Sequence, residues 1–101
     1  MTNTVELPIP PDVLEDKQAV ELLRAWEISE GGRMIVNPHA FENPATWGII
    51  LADALQHICG AYNHYYNIDP EQLKFAILKT FMAEVQSPTD EATPDPSMDD
   101  Q

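Results

Sequence analysis

Three side chains of this 101-residue sequence stand where they could do chemistry together: Asp53, His57 and His64. At ~100° per residue they fall within about 40° of one another on a helix. Asp53 and His57 are at i, i+4 and could share a divalent ion such as zinc or nickel, with His39 as a further ligand. His64 lies two turns on, about 10 Å along the axis, too far from His57 to share that ion. None of these spacings matches an established zinc pattern such as H-E-x-x-H. The ordinary reading is a polar helix flank carrying an Asp–His pair. No metal, cofactor or catalytic residue is assigned. A small-molecule or metal-binding role for the Asp53/His57 flank is the alternative reading.

Cys59 is the single cysteine, so no disulfide forms within the chain. As a nucleophile it would need a histidine in reach. His57, two positions away, points to the other side of the helix. A half-buried thiol packing as a small hydrophobe is expected instead. Tyr62, Tyr65, Tyr66, Trp26 and Trp47 could line a ligand pocket, but at helical spacing Trp47 and Tyr62 read as core. Gly31-Gly32 is no phosphate loop, because no strand–loop–helix frame with a following Lys-Ser/Thr surrounds it.

The elements that must position these residues are legible from capping and periodicity. Asn43-Pro44 and Asp69-Pro70-Glu71-Gln72 each place a preferred N-cap residue before a proline at the first helical position, where its missing N–H costs nothing. Gln72 takes the third position of a capping box. The first helix is expected over about 44–66, its core stripe made of Trp47, Ile50, Leu51, Ala54, Ile58, Ala61, Tyr62 and Tyr65. The second is expected over about 70–85 and is apolar over a wide arc. Leu73, Ile77 and Phe81 make one stripe; Phe75, Leu78, Met82 and Val85 make another beside it. That arc exceeds what a surface helix needs, so the second stripe is the candidate interface.

Upstream, residues 20–28 fit both a strand (Val20, Leu22, Trp26, Ile28) and a helix (Ala19, Leu22, Leu23, Trp26). The Gly31-Gly32 turn and the β-prone run Arg33–Val36 favour a β-hairpin with Glu30 facing Arg33 across the strands. Residues 12–17 can form one helical turn. Residues 1–11, rich in proline, read as an extended, mobile segment. Residues 87–101 hold three prolines and five acids, which predicts a disordered acidic tail suited to solvation or docking.

The formal charge is −12. Residues 19–86 account for −4 of it, and the ends carry the rest. Such a balance argues against nucleic acid, whose phosphates call for Lys and Arg, and against an anionic membrane surface. The start of the chain has neither the basic residues nor the apolar run of a signal peptide, and a cytoplasmic location is expected.

The run Ala19–Trp26, the Gly31-Gly32 turn and Glu42–Asp53 together resemble a bacterial domain family of unknown function, number 5076, over roughly residues 8–89. That resemblance implies a small bacterial α+β domain with no assigned activity and no catalytic residues to carry over. The residues and the resemblance give one expectation. A single α+β domain over 12–86, a β-hairpin packed against two antiparallel helices in the order ββαα, carries a mobile segment at 1–11 and an acidic tail at 87–101. An open two-stranded sheet and a second helix with surplus apolar area point to a homodimer and to a non-enzymatic protein-interaction or accessory module. Its protein partner is not named by any motif. A third reading is an acidic regulator that sequesters a basic partner through the tail.

Overall fold

The computed structural model describes residues 5–88, and the expectations for residues 1–4 and 89–101 lie outside them. The elements follow in the order α1 (Pro11–Glu15), β1 (Leu23–Ile28), β2 (Gly31–Val36), a 3-10 turn (Pro44–Thr46), α2 (Trp47–Tyr66) and α3 (Pro70–Gln86). This is the α+β order ββαα, a two-stranded antiparallel hairpin followed by two helices, with one short helical turn in front of it. The chain divides into two compact units, Met1–Ala40 and Phe41–Gln101.

In the first unit, residues 5–10 run without regular structure into α1, which starts on a proline and ends after a single turn. The strands pair in the register Leu23↔Val36, Ala25↔Met34, Trp26↔Arg33 and Ile28↔Gly31. The turn is therefore Ser29-Glu30, not the expected Gly31-Gly32. Gly31 opens β2 with φ +118°, a conformation costly for any residue with a Cβ, and so lets Ser29-Glu30 stay in ordinary geometry. Arg33 consequently faces Trp26 rather than Glu30. The Glu30–Arg33 ion pair forms across the turn, at 4.0 Å, as an i,i+3 contact. Strand β1 also begins at Leu23, which leaves Val20 outside the ladder and 58% exposed.

In the second unit, the Asn43 side chain accepts a hydrogen bond from the Ala45 N–H at 3.0 Å and caps the 3-10 turn. From Trp47 the chain runs on as an α-helix of 20 residues, about 30 Å long. Phe41 packs edge-on to Trp47, ring centroids 5.6 Å apart. Asn67 ends α2 in the left-handed region (φ 58°, ψ 36°), where asparagine is one of the few tolerated residues, and its N–H bonds to the Asn63 carbonyl. The Asn63 side chain donates in turn to the Ile68 carbonyl and ties down the connection. The Asp69 carboxylate then accepts from the Gln72 N–H at 2.9 Å and starts α3. The two helices pack on each other.

Burial on α2 agrees with the expected stripe only at Trp47 and Ile50. Cys59, at 3% exposure, is the one fully buried side chain among the described residues, and Trp47, Ile50 and Leu55 are half-buried. Leu51, Ile58, Tyr62 and Tyr65, expected as core, are exposed, as are Ala54 and Ala61. The more buried line through Leu55 and Cys59 lies about 70° round the helix from Leu51 and Ile58. The apolar arc of α2 is wide enough to contain both lines. On α3, Leu73 and Ile77 are half-buried, in agreement with the first expected stripe, whereas Phe81 is 48% exposed.

Candidate interaction surface

The residues with chemical potential do not converge. Asp53, His57 and His64 are exposed on α2, and His39 is exposed in the first unit, its backbone N–H donating to the Asn37 side chain. The His64 ring stands edge-on to Tyr65 at 4.7 Å, an arrangement internal to the helix surface. Among the described residues, no group of three or more His, Cys, Asp or Glu side chains is placed to hold a metal ion. Cys59, expected to be half-buried, is fully buried, so its thiol serves packing. Tyr62 and Tyr66 stack at 5.5 Å on the surface of α2 instead of lining a pocket.

The first unit holds an open cleft of about 780 Å³ between residues 5–9 and strand β1, lined by Leu7, Ile9, Leu14, Leu23 and Trp26 among others. Arg24 is the cation on its wall. Its guanidinium donates to the Glu21 carboxylate and lies 3.6 Å from Glu6. The hydrogen bond to Glu21 and that carboxylate's charge, helped by Glu6, hold the Arg24 pKa above its ordinary value. Arg24 is thus already matched by two carboxylates, and sequence reading missed this triad because its members are 3 and 18 residues apart with no recurrent spacing. A second open cleft, about 370 Å³, lies by Trp26 and Arg33 on the hairpin.

The strongest feature of the surface is apolar. Phe75 is 73% exposed, Val85 59%, Met82 47% and Leu78 44%, and all four lie on one stripe of α3. By helical geometry this stripe is centred about 140° round α3 from the half-buried pair Leu73 and Ile77. It is therefore a separate face of the helix and not the fringe of the α2 contact. Lys74 borders it, with its ammonium 3.1 Å from Glu71 and its stem half-buried along the helix. These four residues are the interface candidates that the sequence singled out.

A strand hairpin followed by a capped helical hairpin with an open apolar face defines a class of small α+β domain. The chain belongs to the family described as Domain of unknown function (DUF5076), whose model matches residues 6–89. It is similar to a solved structure described as a "putative pyruvate dehydrogenase" from the photosynthetic bacterium Rhodopseudomonas palustrus. The two share 34% identity, with a TM-score of 0.73, over 94% of this chain and 97% of that one. No curated protein matches the chain. No helix among the described residues is long and apolar enough to cross a membrane.

Proposed function

We propose that this chain is a non-enzymatic interaction module of the bacterial cytoplasm that associates with itself. The observation that carries this reading is the exposed stripe of α3 beside a core in which Cys59 alone is fully buried among the described residues. A helical pair with so little buried cannot offset the entropy of ordering its chain, and covering its apolar faces in an assembly supplies the missing stabilisation. The largest contiguous apolar patch on a protein surface is often functional, and protein–protein contact is one of its common uses.

Sedimentation equilibrium of the full chain between about 1 and 100 μM tests self-association across the usual affinity range of specific complexes. A mass twice 11.3 kDa is expected. A single species at 11.3 kDa throughout that range would refute the reading.

A further inference from the structure

We propose that the Phe75–Leu78–Met82–Val85 stripe is the seam of a two-fold dimer in which α3 lies antiparallel to α3 of a second copy. This rests on the self-association reading above and specifies its face, its partner and its geometry. The spacing of the four residues is 3, 4 and 3, which is the a/d pattern of a helix that meets another along one narrow line. All four are 44–73% exposed, so the line is open in the single chain.

An antiparallel pairing centred on Thr80 sets Phe75 opposite Val85 of the second copy and Leu78 opposite its Met82. Each bulky side chain then meets a smaller or more flexible one, and the pattern repeats on the other side of the axis. Charge selects this direction over the parallel one. In a parallel seam the flanking positions would bring Lys74 against Lys79 of the second copy, twice. In the antiparallel seam only the two Lys79 side chains approach, at the rim, where long stems can splay into water.

Charge also selects the occupant. A chain of formal charge −12 repels its own copies over most of its surface. Over Pro70–Gln86, however, α3 carries Lys74 and Lys79 against Glu71 and Glu84 and is formally neutral, unlike the chain as a whole. Two acidic copies therefore meet with least repulsion here. The stripe and the neighbouring Phe81 expose on the order of 500 Å² of apolar side chain, at the upper end for a single patch on a monomer. A standard interface takes about 800 Å² from each partner, and the stripe with Phe81 supplies more than half of that.

The test uses the full chain. Met82→Glu sets a carboxylate against Leu78 twice per dimer and is expected to weaken association at least about 100-fold, with the far-UV helical signal unchanged. Phe75→Gln, at a position 73% exposed, repeats the measurement should Met82→Glu disturb folding. Orientation is read by oxidative crosslinking: a mixture of Leu78→Cys and Met82→Cys proteins is expected to crosslink to each other and not to themselves. The unsubstituted chain is the control, because Cys59 is buried. Self-crosslinking of each variant would overturn the antiparallel geometry. A dimer indifferent to both Met82→Glu and Phe75→Gln would overturn the seam and leave self-association standing. A monomer at every concentration would overturn both and leave the stripe to a different protein.

Discussion

The start of α3 positions everything on its exposed stripe, and its cap makes a quantitative prediction. The Asp69 carboxylate accepts from the Gln72 N–H at 2.9 Å, with Pro70 at the first helical position and Glu71 in the first turn. Asp69→Ala removes that bond and also a negative charge at the positive end of the helix dipole. Loss of a cap bond costs about 1 kcal/mol, and loss of the favourable charge adds a few tenths more. A total near 1–1.5 kcal/mol corresponds to a fall in Tm of about 4–12 °C for a domain of this size. Asp69→Asn keeps an acceptor and loses only the charge, so it is expected to cost about 0.3–0.5 kcal/mol. Gln72→Ala is expected to be nearly neutral, because the Gln72 side chain returns no hydrogen bond to the Asp69 backbone among the described residues. Thermal unfolding by circular dichroism at one fixed protein concentration measures all three, since association would otherwise shift Tm by mass action. Equal losses for Asn and Ala would refute the hydrogen bond as the source of stability. No loss for Ala would refute the cap itself.

Two further perturbations test the backbone positions on which the hairpins turn. Asn67→Gly is expected to keep or slightly raise stability, and Asn67→Ala to lower it by about 1 kcal/mol, because the left-handed conformation at φ 58° penalises a Cβ. Denaturant titration of the pair reads the difference directly. Gly31→Ala meets no atom within 4 Å, so any loss comes from its φ of +118° alone, and about 1–2 kcal/mol is expected. Hydrogen exchange should then accelerate across Leu23–Val36 while α2 and α3 keep their protection.

How much was legible in the sequence depends on the range of the interactions that fix each feature. The helical hairpin of α2 and α3 was readable because N-caps and the prolines beside them act within a few residues of one another. The open stripe of Phe75, Leu78, Met82 and Val85 was readable for a related reason: α3 has two apolar lines, and one neighbouring helix can cover only one. The turn of the β-hairpin was misplaced by two residues, since either register uses the glycines and only the strand pairing separates them. Most of the expected α2 core was misplaced too. Leu51 and Ile58 carry the same apolar signal as Leu55 and Cys59, and periodicity does not say from which side α3 approaches.

The order ββαα, the starts of the helices, the acidic charge and the surplus apolar face of α3 were set by the polypeptide sequence, because each follows from local geometry or composition. The tertiary structure decided which edge of α2 is buried, that Cys59 is enclosed, and that Arg24 is held between Glu6 and Glu21. Those depend on the direction from which distant segments arrive, and a one-dimensional pattern does not encode direction.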